Sequence, residues 1–319
     1  MFFLFPIHPT DAQQTGKVAR IGYLDASTAS GSEFLVDVFR QELSKLGWIE
    51  GKNITIDYRF AEQNLERLPE LAAELVRLKV DLIAVVGGPP AFAAKKATTA
   101  IPIVMALGGD PVASGLVASL ARPGGNVTGL SSLAPDLTTK RLEVLKDAIP
   151  KLARVGLLRL PGDSRTTRSL QLKELRAAAP ALKLNLEEIE TQLDPKGLES
   201  AFQTAKQKRA GAIMTIAARE FFAERKRIIE LAVKYRLPAI YYQKEFVDEG
   251  GLMSYGLDYV DHFRHAAHYV DNILKGTKAA DLPVQQPTKF EFIINLKAAK
   301  QIGLTIPVRV LERANQVIR

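Results

Sequence analysis

The chain says the same thing twice at a long interval, and that restricts its architecture more than any single motif. RIGYL at Arg20 to Leu24 returns as RVGLL at Arg154 to Leu158. Leu184 to Ile189 answers Ile54 to Tyr58, Ala210 to Thr215 answers Val80 to Val85, and Leu237 to Tyr241 answers Ile101 to Met105. Gly250-Gly251 answers Gly124-Gly125, and the offset stays between about 126 and 136 residues throughout. An interval that long is a duplicated domain-sized unit rather than a solenoid repeat. With 319 residues, two such units are the natural expectation.

Each unit alternates strands with amphipathic helices. In the first, Arg20 to Leu24 is a short apolar strand. Ser30 with Glu33 reads as a capping box for a helix with Phe34, Leu35, Val38, Phe39, Leu43 and Leu46 at helical spacing, stopped by Gly47. NITIDYR, VDLIAVV and PIVMA are further strands, the last two apolar throughout, as in a parallel sheet covered on both faces. The pattern predicts an α/β fold: two doubly wound parallel-sheet lobes in a clamshell, joined by three crossover strands. The crossings are RPGGNVTGLSS, DEGGLMSYGL and TKFEFIIN, with Gly124, Gly125, Gly129, Gly250, Gly251 and Gly256 as hinge glycines. The boundaries are a leader over 1–17, lobe one over 18–127 with 257–286, and lobe two over 128–256 with 287–319.

Sites in such sheets lie beyond the carboxyl ends of the strands. In lobe one those loops are Asp25 to Ser32, Gly87-Gly88-Pro89-Pro90 and Leu107 to Pro111. The glycine pair lets a ligand approach the backbone, and a helix start there presents N–H groups and a positive dipole end to a carboxylate. The same residues equally suit a plain strand-to-helix turn. Asp110 reads either as a counter-ion for a ligand amine or, as a lone Asp more often is, a helix N-cap. In lobe two the loops are Arg159 to Arg165, Ala217 to Phe222, Tyr241 to Phe246 and Tyr255-Gly256. Tyr241, Tyr242 and Tyr255 can stack on a planar ligand, and Arg219 can hold a carboxylate.

Other function classes are weakened by what the sequence lacks. The sequence contains no cysteine, so we expect no disulfide, thiolate metal site, thiol nucleophile or lipoprotein anchor cysteine within it. No dinucleotide, phosphate-loop, zincin or nucleophile-elbow signature is present, and no catalytic set is visible. The net charge is +8, but the densest basic run, Arg219 to Arg227, holds Glu220 and Glu224, so it reads as a solvated helix face rather than a nucleic-acid stripe. His262, His265 and His268 recur every third residue, which spreads the first and third about 120° around a helix; we read an exposed face and no metal. MFFLFPI at the start is apolar but short, and reads as the tail of a secretion signal or as a cytosolic extension, the former being the expectation.

Long runs carry a resemblance: LPELAAELVRLKVDLIAV, GDPVASGLVASLARPGGNVTGLS, KRLEVLK, LPAIYYQKEFVDEGGLMSYG, YVDNILKG and LPVQQPTKFEFIINLKAAKQIGLTIP. Over roughly residues 18–318 the chain resembles bacterial ABC-transporter substrate-binding proteins with a type I periplasmic-binding fold, the group that includes tryptophan- and tyrosine-binding members. The resemblance implies a monomeric periplasmic receptor without cofactor, metal or nucleic acid, which passes a small-molecule solute (an amino acid or a carboxylate) to a membrane permease. It implies ligand contacts at Ala26, Ser27, Thr28, Gly87, Gly88, Pro89, Pro90, Asp110, Ala217, Arg219, Glu220, Tyr241, Tyr242 and Tyr255. Two departures stand out. The loop at Gly87 lacks the hydroxyl residue usual after the glycine, and Ala217-Ala218-Arg219 puts a cation where relatives often carry an acid. A ligand-sensing core of a regulator is the alternative, but about 17 residues before the first strand are too few for a three-helix DNA-binding headpiece.

Overall fold

The computed structural model describes residues 18–161 and 167–319, with the side chains of residues 167 and 219 outside that set. The leader and most of the Arg159 to Arg165 loop therefore lie outside the described residues. Lobe one runs β1 (Ala19–Asp25), α1 (Ala29–Lys45), β2 (Ile54–Phe60), α2 (Leu68–Arg77), β3 (Leu82–Val86), α3 (Gly88–Ala97), β4 (Ile103–Leu107) and β5 (Val127–Gly129). Lobe two runs α4 (Ala134–Ala148), β6 (Arg154–Arg159), α5 (Thr167–Ala181), β7 (Asn185–Glu190), α6 (Pro195–Gln207), β8 (Ala212–Thr215), α7 (Arg219–Ala223), α8 (Arg225–Lys234), β9 (Ala239–Tyr241), α9 (Glu245–Asp248) and β10 (Met253–Leu257).

The duplication is visible in the strand orders, β2-β1-β3-β4-β5 and β7-β6-β8-β9-β10, all parallel. The chain then returns to lobe one as α10 (Tyr259–Leu274), which packs on α1 and β4. It finishes on lobe two with β11 (Phe290–Asn295), α11 (Leu296–Gln301), α12 (Val308–Leu311) and β12 (Gln316–Ile318). β11 enters the second sheet antiparallel to β10, the one departure from parallel pairing among the described strands, because it arrives from the opposite lobe. Every side chain of β3 (LIAVV) and β4 (IVMAL) is buried, as expected for strands covered on both faces.

Local signals place most elements within two or three residues of their sequence reading. The start of α1 differs: the cap is Thr28, whose Oγ1 accepts from Gly31 N–H at 3.0 Å, so Ser30 already lies inside the helix. Asp194 caps α6 ahead of Pro195, and Asn295 caps α11.

Three segments run side by side between the lobes. After β5, Ser131 N–H donates to Gln285 O at 2.9 Å, and Gln285 N–H donates to Gly129 O at 3.0 Å. After β10, Asp258 N–H donates to Lys289 O at 3.4 Å. The two Gly-Gly pairs thus lie inside their lobes, in the turns before β5 and β10, and the crossings follow them. β5 belongs to the first sheet, which therefore extends through Gly129.

His262 faces this junction and is 5% exposed, whereas His265 and His268 are exposed. The exposed-face reading therefore fails for His262, because the helical spacing turns one of the three histidines inward. Burial pushes its pKa down to about 4, assisted by His265 and opposed by Asp261 and Asp258. The folded protein holds it neutral, while the unfolded chain takes up a proton below about pH 6.5. His262 therefore contributes fully above pH 6.5 and costs about 3 kcal/mol of stability as pH falls to about 4. Urea unfolding at pH 7 and pH 4 should show a drop larger by that amount in the parent than in His262→Gln; equal drops would mean that the folded state protonates the ring without penalty.

Candidate functional site

A cavity between the lobes is lined from lobe one by Ala26, Val86, Gly87, Gly88, Pro89, Pro90, Leu107 and Gly109. Lobe two and the crossings contribute Ser132, Ala134, Leu137, Arg141, Arg168, Ala217, Ala218, Glu220, Tyr242, Leu257 and Tyr259. Its atom-free space, mouth included, is about 670 Å³, within the usual range of small-molecule sites. The lobes are in contact beside it: a Cβ built on Gly31 of α1 would lie 3.3 Å from the Ala223 Cβ of α7.

The lobe-one wall is apolar. Gly87 turns the chain from β3 into α3 with φ +98°, a conformation open to glycine. The expected row of free amides at the start of α3 is absent, because Pro89 and Pro90 carry no N–H and Ala91 N–H donates to Gly87 O at 3.3 Å. Gly88 remains as the donor, and two pyrrolidine rings face the cavity beside it.

The other wall holds the charge. Glu220, on α7, is 2% exposed and forms an ion pair with Arg168 of α5. Arg141 of α4 is 1% exposed. Its Nη1 donates to Tyr255 O at 3.2 Å and its Nη2 to Thr138 Oγ1, while Nε has no partner. Two of its five N–H donors are thus engaged, both by uncharged oxygens. The ionisable groups facing it are the phenols of Tyr259, Tyr242 and Tyr255; burial pushes its pKa down to about 10, so it remains a cation at neutral pH.

Of the residues singled out in the sequence, Ala26, Gly87, Gly88, Pro89, Pro90, Ala217, Glu220 and Tyr242 come together here. The others serve elsewhere. Ser27 is buried with its amide on Asp25 Oδ1, and Thr28 caps α1. Tyr241 is 2% exposed, stacks on Phe246 at 4.5 Å between ring centroids and is absent from the cavity lining. Tyr255 lends its carbonyl to Arg141 while its ring packs on Phe292. The Arg219 side chain lies outside the described residues. Asp110 Oδ1 accepts from Val112 N–H at 3.1 Å and Ala113 N–H at 2.9 Å, so it closes the turn after β4 and is absent from the cavity lining. Asp110→Ala should therefore cost about 1 kcal/mol in urea unfolding and leave solute affinity within twofold by calorimetry. A larger affinity loss for amine-bearing solutes would make Asp110 a ligand contact.

Arg141 was missed although its position carried a signal. It stands at helical spacing with Leu137, Leu145 and Ala148, all buried, so a cation sits on the apolar stripe of α4. Arg168 and Tyr259 had no comparable sequence signal.

The profile of the family described as ABC transporter substrate binding protein matches residues 30–318. The chain belongs to that family. It is a binding protein rather than an enzyme. The tyrosine-binding protein of Clostridioides difficile (strain R20291) is 30% identical over 272 residues, which cover 83% of this chain and 75% of that one. Among solved structures, a conserved domain protein from Vibrio cholerae superposes with a TM-score of 0.85 at 29% identity, covering 94% of this chain and all of the other. The ABC domain from Streptococcus pneumonia in complex with L-Trp superposes at 0.81 with 27% identity, covering 94% and 99%. Among the described residues, no helix of this substrate-binding protein is long and apolar enough to cross a membrane.

Proposed function

We propose that this substrate-binding protein is the extracytoplasmic solute receptor of an ABC importer, and that it holds a small organic carboxylate between its lobes with Arg141 as the anchor. The observation that carries this reading is a fully buried guanidinium that lines the cavity without a carboxylate partner among the described residues. A buried charge left unpaired is costly, so a site that keeps one open is built for a counter-charge that arrives with the ligand. Planar, forked N–H groups suit a carboxylate in particular. The apolar wall of Val86, Pro89, Pro90 and Leu107 and the edge of Tyr242 suit a ring or branched chain. Relatives named for tyrosine and solved with L-Trp support an aromatic body.

A solute that touches both walls favours the closed arrangement, and the closed lobes are what the permease recognises. Native mass spectrometry of the purified protein, followed by thermal shift against aromatic amino acids, aromatic acids and branched-chain acids, tests the reading. A solute binding only the folded form at a hundred times its Kd adds about 2.7 kcal/mol, so one class should give a clear shift. No co-purified small molecule and no shift across the panel would overturn it.

A further inference from the structure

We infer that Gln171 is a positioning residue for the solute: its buried amide, acting through Thr138, fixes how Arg141 presents its guanidinium to the cavity. This role rests on the reading of Arg141 as the carboxylate anchor and adds what holds that anchor in place.

Gln171 stands on α5, is fully buried and is absent from the cavity lining. A buried amide needs partners at both ends, and Gln171 finds them on one residue. Its Oε1 accepts from Ala217 N–H at 2.8 Å and its Nε2 donates to Ala217 O at 3.1 Å. That double pairing decides which end of the amide points where, because a flipped amide would set N–H against N–H and oxygen against oxygen. Oε1 is therefore the atom that meets Thr138 Oγ1, at 2.9 Å.

The other oxygen beside Thr138 Oγ1 is Ala134 O, at 2.6 Å. Neither oxygen can donate, so the one hydroxyl proton goes to one of them and a lone pair is left to accept from Arg141 Nη2. A flipped Gln171 would instead bring an N–H to the same lone pairs and compete with the guanidinium. The contacts thus run from the Ala217 backbone through Gln171 and Thr138 to Arg141, and the three side chains are at most 1% exposed. Tyr255 O holds the other Nη at 3.2 Å, and the two contacts fix the plane of an otherwise flexible side chain. Ordering such a side chain before the solute arrives removes that cost from binding. Ala217 lines the cavity, and the next residue's carbonyl, Ala218 O, accepts from Tyr242 Oη at 2.6 Å. The same amide therefore ties the anchor to the loop that walls the site.

Calorimetry on the full chain at pH 7 would use L-tryptophan with L-tryptophanamide and indole-3-propanoate with indole-3-propanamide. The proteins are the parent, Gln171→Leu, Thr138→Val and Thr138→Ser. An acid that binds the parent should weaken by about fivefold or more in Gln171→Leu and in Thr138→Val, while its amide changes by less than about twofold. Thr138→Ser keeps the hydroxyl and should recover the parent affinity to within about twofold. Thr138→Val keeps the side-chain shape, so it carries the test if Gln171→Leu fails to fold. Where an amide binds too weakly to measure, the serine recovery decides. Acid affinities unchanged in the folded variants would overturn the positioning role and leave the carboxylate receptor standing. Equal losses for acid and amide, or no recovery with serine, would reduce Gln171 and Thr138 to packing and overturn it as well. If none of the four compounds binds the parent, the aromatic-carboxylate reading fails and the positioning role fails with it.

Discussion

Arg141→Met should abolish solute binding while making the ligand-free protein more stable. The guanidinium is desolvated enough to lower its pKa to about 10, and it uses two donors on a carbonyl and a hydroxyl, with no carboxylate partner among the described residues. Methionine is of similar length, neutral and flexible, and it can continue the apolar stripe of Leu137, Leu145 and Ala148 along α4. Replacing a poorly compensated buried charge by an apolar residue typically stabilises by about 1–3 kcal/mol, less the two hydrogen bonds given up. Losing the anchor should weaken solute affinity at least ~100-fold, equivalent to about 2.7 kcal/mol. The two effects have opposite signs, and that separates a ligand anchor from a structural arginine, whose removal would lower stability and affect affinity only indirectly. Urea unfolding and calorimetry on the same preparations read both. A destabilised variant that still binds would overturn the assignment. Arg141→Lys keeps the charge without the planar fork and should fall between the two.

Gly129→Ala should be among the most damaging single-methyl changes in the chain. Gly129 ends β5 in register with Met105 of β4, with φ +118°. A Cβ there would sit 2.4 Å from Met105 O and 2.6 Å from Met105 N, both backbone atoms that cannot move without tearing the β4–β5 pairing. The left-handed conformation costs about 1–2 kcal/mol for a residue with a Cβ, and overpacking against backbone adds about 1–3 kcal/mol. A loss of about 2–5 kcal/mol is expected. Gly125, four residues earlier in the same stretch, has no neighbour within 4 Å of a built Cβ, and its φ lies outside the left-handed range. Gly125→Ala should change stability by less than about 0.5 kcal/mol. Denaturation midpoints of the two variants, measured together, check the contrast; comparable losses would mean that the sheet relaxes around residue 129. The segment also leads directly into Leu130 and Ser131, which pair with Gln285 at the lobe junction, so Gly129→Ala should disturb lobe closure as well.

The duplicated architecture could be read in the chain because its signals are local and occur twice. Apolar strands such as VDLIAVV and PIVMA, helical stripes such as Leu68, Leu71, Ala72 and Leu75, and Gly-Gly turns depend on neighbours a few residues away. An offset that persists through four strands and a turn leaves few alternatives to paired α/β lobes. The loops at the strand ends were therefore also legible, and eight of the residues taken from them meet in one cavity. Which side chains in those loops are free was decided by tertiary structure alone. Thr28 and Asp110 are spent on nearby backbone, Tyr242 lines the cavity while Tyr241 stacks on Phe246 outside it, and Glu220 is taken by Arg168 from 52 residues away. Arg141 became the candidate anchor only because folding buries it beside Tyr255, 114 residues further on, and pairs it with no carboxylate among the described residues. Sequence periodicity determines which residues must leave water. The charge that a buried site leaves open is a sum over long-range neighbours, and only the folded chain brings those neighbours together.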